Sequence, residues 1–172
     1  MAKTTFSGPV YSKNGFINTG PGNTISLTAD TTLTVAAHAG RLLLTNDADG
    51  IFTLPTINVS ANSAVAGSTD YNNPNNIGAT FNFYIETAAT DMDIKTDGTD
   101  KFVGAILLAV DNGAKKAFIP AAANDVITLT GSTAGGLVGS VISITAIDDD
   151  KYLVHDSLVL ATGTIVTPFA DA

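Results

Sequence analysis

The side chains that most often do chemistry in proteins are few in this chain and lie far apart. There are two histidines, His38 and His155, and no cysteine. The lack of cysteine excludes thiol nucleophiles, disulfide frameworks and Cys-ligated zinc. The histidine spacing cannot place two metal ligands on one face. We interpret His38 as a turn residue and His155 as a residue at the end of a strand.

Two acidic stretches resemble the start of a calcium-binding loop, "NDADG" (46–50) and "DIKTDG" (93–98). Such loops need oxygen ligands at alternate positions and a Glu six residues after the glycine. Thr56 and Gly104 stand where that Glu is required. We therefore interpret both stretches as acidic hairpin turns, and we predict no metal site.

The remaining candidates for catalysis have simpler interpretations. Three consecutive carboxylates, Asp148, Asp149 and Asp150, lie between two apolar stretches. This is expected of a hydrated turn, in which nothing would raise the pKa of any of the three carboxyls. The sequence has no G-x-S-x-G elbow, and "GSTAGG" (131–136) has no lysine to bind phosphate. We predict that the protein is not an enzyme, with no catalytic residues and no cofactor.

Composition excludes further classes of partner. The 172 residues have 45% hydrophobic and 14% charged side chains, with a net charge of −8 and only eight Lys plus Arg. This is too apolar for a disordered chain, and it lacks the cation cluster that nucleic acid or an anionic membrane requires. The longest apolar run, 105–110, is far shorter than the roughly 20 residues of a membrane span. With no signal-peptide pattern, we expect a soluble protein that folds where it is made.

Hydrophobic residues alternate with polar ones along most of the chain. In "ATFNFYIET", Phe81, Phe83 and Ile85 share one face. "TTLTVA", "DMDIKT", "VITLT" and "SVISITAID" show the same period of two, which is typical of half-buried strands. We count roughly ten to twelve strands. The fold class predicted is all-β, as an antiparallel sandwich, a jelly-roll or a barrel-like domain; strand spacing does not separate these topologies.

Turn residues separate the strands. Asn112-Gly113 lies between two apolar runs and predicts a β-hairpin. "AAHAG" (36–40) predicts one helical turn closed by Gly40. Residues 58–78 are rich in Asn, Ser and Ala and form a long loop, which we interpret as an exposed excursion or a second arm lying on a partner.

The N-terminal stretch "TTFSGPVYSKNGFINTGPGN" contains four glycines and two prolines, with its large apolar residues arriving singly or in pairs. Its glycines and prolines would interrupt a helix, and it is too apolar for a disordered tail without a function. We predict an extended arm, residues 1–23, followed by one all-β domain, residues 24–172. The predicted partner-binding anchors of the arm are Phe6, Pro9, Val10, Tyr11, Phe16 and Ile17. The alternative is an edge strand folded onto its own domain.

The order of features resembles that of small structural proteins in tailed-bacteriophage virions. "FSGPVYSKNGF" is similar to the opening of such proteins, and "LTVAAHAGRLLLTNDADGIFTLP" to a recurrent pattern in them. "IGATFNFYIE", "DKFVGAI" and a final strand pair with an acidic turn before "KYLV" extend the resemblance over residues 4–160. Tyr152 departs from the pattern, which often has Trp there, and the 58–78 loop resembles an insertion.

The resemblance implies a head decoration (cement) protein. Such proteins are all-β, commonly homotrimeric, and bind the exterior of the capsid, where they clamp adjacent capsomers. The implied partners are the major capsid protein and further copies of the chain, and the implied location is the virion. Two alternatives remain: a tail, fibre or baseplate component, and a carbohydrate-binding adhesin module that would use exposed aromatics such as Tyr11, Tyr71 and Tyr84.

Overall fold

The computed structural model describes residues 19–59, 76–111 and 113–172. Within them the chain forms thirteen strands, one short α-helix and a 3-10 turn at Pro21–Asn23. The strands and the helix, in chain order, are β1 Thr24–Leu27, β2 Thr31–Thr32, α1 Val35–His38, β3 Leu42–Thr45, β4 Ile51–Thr53, β5 Thr80–Ile85, β6 Met92–Lys95, β7 Lys101–Gly104, β8 Ile106–Val110, β9 Lys115–Phe118, β10 Val126–Leu129, β11 Val141–Asp148, β12 Lys151–Ala161 and β13 Phe169–Ala170.

The strands form two sheets that share one hydrophobic core. The first sheet has the order β1-β3-β5-β11-β12-β8-β9, with β7 also pairing with β12. The second has the order β13-β10-β6-β4-β2. The rings of Phe52 and Phe83, one from each sheet, lie 6.4 Å apart between their centroids. The prediction of an all-β protein is confirmed, and the arrangement is that of a sandwich.

Both sheets are mixed rather than purely antiparallel. The first six strands alternate between the sheets, so that β1, β3 and β5 are parallel neighbours in one, and β2, β4 and β6 in the other. The chain therefore winds like a short helical coil of strands before β11, β12 and β10 add antiparallel pairs. The parallel coil was not predicted, because hydrophobic alternation identifies the buried face of a strand but not its partner strand.

The inward side chains stack in rows across each sheet. In the first sheet, Leu43, Phe83 and Ile142 lie opposite one another and are buried. In the second, Phe52, Ile94 and Ile127 do the same. Burial of each such side chain contributes roughly 1.5–3 kcal/mol to folding. The residues in these rows are the hydrophobic members of the alternating pattern in the sequence.

Strand β12 organises the far half of the first sheet, because both β7 and β8 run parallel to it. Its buried positions change phase along the strand, from Tyr152 and Val154 to Val159 and Ala161. A β-bulge absorbs the extra residue, where the register against β11 shifts and Asp156 has a φ of 45°. His155 thus lies inside a long strand beside the bulge, and its predicted place at a strand end was wrong.

The acidic stretches 46–50 and 93–98 are not hairpin turns. Each connects a strand of one sheet to a strand of the other, β3 to β4 and β6 to β7, so the flanking strands do not pair. The helical turn is present as α1, whose N-cap Thr34 accepts a hydrogen bond from the Ala37 amide. The hairpin around Gly113 is present as β8 and β9, and the Asp148–Asp150 turn joins β11 to β12.

Candidate interaction surface

The predicted arm anchors, Phe6, Pro9, Val10, Tyr11, Phe16 and Ile17, all lie in residues 1–18, outside the described residues. Most of the predicted loop 58–78 does so as well. The division into arm and domain stays a prediction.

An apolar row crosses the solvent-facing side of the first sheet. Strand register places Leu44 of β3 beside Tyr84 of β5, and Tyr84 beside Val141 of β11. Val141 is opposite Leu158 of β12, which in turn is opposite Leu107 of β8. We call these five residues the outer row. Ser26 of β1 and Ala117 of β9 continue it to the two edges of the sheet.

Three of the five members of the outer row are exposed although they are large and apolar, and Leu44 and Tyr84 are half-buried. Val141, Leu158 and Leu107 have 36%, 43% and 40% of their surface accessible. Their chain neighbours Ile142, Val159 and Leu108 point inward and are fully buried. Strands β11, β12 and β8 are thus apolar on both faces here. Contiguous exposed apolar surface of this kind typically marks an interaction site.

A groove extends the outer row near the β9 edge. Ala109 and Leu160 lie one step further along the outward face of β8 and β12, opposite each other. With Leu137 they line a groove of about 310 Å³, whose walls are mainly apolar. Val138, the next residue, is 51% exposed. The most apolar part of the surface therefore lies in the half of the sheet that contains β12 and β8.

The β1 end of the outer row has a polar border. The Asn46 side-chain amide donates hydrogen bonds to the Ser26 hydroxyl at 2.8 Å and to the Glu86 carboxylate at 2.5 Å. The Thr87 hydroxyl donates to Asn46 at 3.2 Å. Because these polar groups satisfy one another, this end of the row is less suited to an apolar partner than the β12 half.

The two edges of the first sheet carry opposite charges. Asp30, Asp47 and Asp49 lie in the loops that follow β1 and β3, and burial together with the neighbouring Asp49 raises the pKa of Asp47. The β9 edge instead exposes Lys115 and Lys116, the latter 4.8 Å from the Phe118 ring centroid. Charges on an edge strand oppose uncontrolled strand pairing.

A cluster of carboxylates near the start of β7 is structural. The Asp97 carboxylate accepts hydrogen bonds from the Thr56 hydroxyl at 2.6 Å and from the amide and hydroxyl of Thr99. Desolvation alone would raise the pKa of Asp97, but these bonds outweigh it and lower the pKa to about 2. The buried Asp100 accepts a bond from the Ile57 amide, and burial raises its pKa.

The adjacent ion pair also fixes the fold. The Lys101 ammonium lies 2.6 Å from the Asp125 carboxylate, which also accepts a hydrogen bond from the Ala172 amide. Burial would raise the pKa of Asp125, but the bond from Lys101 lowers it. In residues 19–59, 76–111 and 113–172, no three His, Asp or Glu side chains form a group that could hold a metal ion.

No family model matches the chain, and no curated protein or solved structure is significantly similar to it. Among the described residues, the helix is too short to cross a membrane.

Sequence reasoning missed the outer row, although a signal was present. "LLLT" (42–45), "ILLAV" (106–110) and "LVLA" (158–161) interrupt the alternation with consecutive apolar residues. Such runs predict strands buried on both faces. Here one of the two apolar faces is exposed, and only the tertiary structure shows which.

Proposed function

We propose that the chain is a non-enzymatic structural protein of a tailed-phage virion, a head decoration protein that binds the capsid exterior and clamps adjacent capsomers. The observation that carries an assembly role is the outer row, an apolar surface across five strands of the first sheet that is exposed at Val141, Leu158 and Leu107. A surface of this kind favours contact with another protein. The order of sequence features over residues 4–160 supports the phage capsid in particular.

The chemistry of the described residues also supports a structural role. The most strongly perturbed carboxylate, Asp97, has its oxygens engaged by threonine side chains and backbone amides. The buried carboxylate of Asp100 accepts the Ile57 amide. These groups hold loops in place, and both are already committed to partners within the chain.

Co-sedimentation tests the proposed function. The full-length protein is incubated with expanded heads prepared without it from the phage that encodes the chain, and the pelleted protein is measured against protein concentration. We expect saturation at a fixed number of copies per capsomer. Tails and unexpanded heads from the same phage are the controls. Binding to tails alone would replace the proposal by a tail or fibre component.

A glycan array with the same protein tests the adhesin alternative. Sugar binding usually requires aromatic rings that stack on the sugar face. Tyr152 is fully buried, Tyr84 is half-buried within the outer row, and Tyr11 and Tyr71 lie outside the described residues. With one half-buried ring on the described surface, we expect no selective glycan signal. Selective binding to one sugar, without binding to heads, would favour the adhesin.

A further inference from the structure

The outer row is suited to an extended partner that lies across the strands. Together with Ser26 on β1 and Ala117 on β9, which continue it to the edges, the outer row crosses seven strands, or six spacings of about 4.8 Å, roughly 29 Å in all. Its apolar side chains arrive at regular intervals, and the groove at Leu137 and Leu160 offers room for a larger side chain. An extended peptide with separated apolar side chains complements such a surface better than the flat surface of a folded partner does.

The N-terminal segment of this chain, residues 1–18, has that pattern. It contains Phe6, Val10, Tyr11, Phe16 and Ile17, separated by small and polar residues. Fully extended, the ten residue steps from Phe6 to Phe16 span at most about 33–36 Å. The segment is therefore long enough to cross the whole row.

Charge favours the same pairing. Residues 1–18 contain Lys3 and Lys13 and no carboxylate, a net charge of +2. The described residues contain the other six Lys and Arg. They also contain every Asp and Glu except Asp70, fifteen in all, so their net charge is −9. Two of those carboxylates lie beside the outer row. Glu86 is two residues after Tyr84, and Asp156 is two residues before Leu158. Opposite net charges favour association of segment and body.

The charges at the two edges of the first sheet favour a segment that comes from a neighbouring copy. The acidic loops next to β1 of one copy complement Lys115 and Lys116 at the β9 edge of the next. A head-to-tail contact of this kind can close into a ring.

We propose that residues 1–18 of one copy bind along the outer row of the next copy. The contact buries apolar side chains on both partners and offsets the mutual repulsion of the acidic bodies. It makes the protein a self-assembling ring, and a homotrimer would have a mass of three times 17.5 kDa, or 52.5 kDa. This inference stands independently of the capsid, because the contact is between copies of this chain.

Light scattering on the full-length chain tests the contact. We expect an oligomer whose dissociation constant rises at least roughly tenfold, equivalent to about 1.4 kcal/mol, in Leu107→Thr/Leu158→Thr and also in Phe6→Ser/Phe16→Ser. Ile147→Thr is the matched control. Ile147 is 43% exposed and on the same face of β11 as Val141, but six residues, or about 20 Å, away from the row. A monomeric parent protein, or row variants that associate as strongly as the control, would overturn the proposal.

Cross-linking identifies which copy supplies the segment. The photoreactive residue p-benzoylphenylalanine is placed at position 11 of isotopically heavy chains, which are mixed with unmodified light chains and irradiated. We expect heavy-to-light cross-links to peptides that contain Leu107 or Leu158. Cross-links confined to a single chain would show that the segment covers its own sheet and would overturn the proposal. Failure of head binding with these cross-links intact would reject only the capsid function.

Discussion

At the scale of single residues, Gly104 controls how β7 continues into β8 along β12. Its φ is 98°, and a Cβ at this position would overlap the Val154 carbonyl oxygen. We expect Gly104→Ala to lower the free energy of unfolding by about 3 kcal/mol or more, because β12 would have to move away. Urea denaturation measures this change.

The control for Gly104 is Gly98→Ala. Gly98 has a similar φ of 93°, but a Cβ added to it would have no neighbouring atom within 4 Å. This variant should cost only the positive-φ strain, about 1–2 kcal/mol. Equal losses in both alanine variants would show that the contact with Val154 has no energetic weight.

Asp156 is the one non-glycine residue with a positive φ in the described part of the chain, and it lies at the bulge in β12. Its φ of 45° favours Gly, Asn or Asp and disfavours β-branched residues. We expect Asp156→Gly and Asp156→Asn to keep the melting temperature, and Asp156→Val to lower stability by about 1–2 kcal/mol. Thermal unfolding of the three variants distinguishes backbone strain from the loss of the carboxylate, since Gly and Asn also remove the charge.

At the scale of elements, the connection from β6 to β7 depends on the ionised form of Asp97. Its pKa is lowered to about 2 from an ordinary 3.8, so it stabilises the fold above pH 4, and that contribution is lost as the pH falls toward 2. We expect Asp97→Asn to be less stable than the parent at neutral pH. The difference should shrink between about pH 4 and pH 2, as measured by urea denaturation at each pH.

The matched control for this loop is Asp93→Asn, on the neighbouring strand β6. Asp93 also accepts a threonine hydrogen bond, from Thr128 at 2.7 Å, but it has no bonds from the loop amides that bind Asp97. A stability difference for Asp97→Asn that does not change with pH would contradict the assignment of the lowered pKa to these hydrogen bonds.

At the scale of the whole molecule, Tyr152 links the two sheets. It is buried in β12 of the first sheet, and its hydroxyl donates a hydrogen bond to the carbonyl of Pro55, just after β4 of the second, at 2.5 Å. Burial, with smaller effects from Asp100 and Asp97, raises its pKa.

We expect Tyr152→Phe to lower the free energy of unfolding by about 1–2 kcal/mol, because the Pro55 carbonyl loses its partner. Tyr84→Phe, on the outer face, is the control and should change stability little. Chemical denaturation followed by circular dichroism measures both. An unchanged stability in Tyr152→Phe would mean that the hydroxyl bond does not contribute to holding the sheets together.

In the strands that alternate strictly, the sequence by itself determined which residues face the core, because a strand repeats every two residues whatever its partner is. Phe81, Phe83 and Ile85 were correctly placed on one buried face in this way. The hairpin at Gly113 was also predictable, since its turn residues and both strands are adjacent in the chain.

Only the tertiary structure decided the partners of the strands. The parallel coil of β1 to β6 joins strands that are far apart in sequence, and local patterns contain no information about such pairing. The phase change at Asp156 and the exposed outer row depend on the same pairing. Residues such as Leu107 and Leu158 become neighbours only when the strands align, so the surface that we propose for self-assembly is a product of the fold.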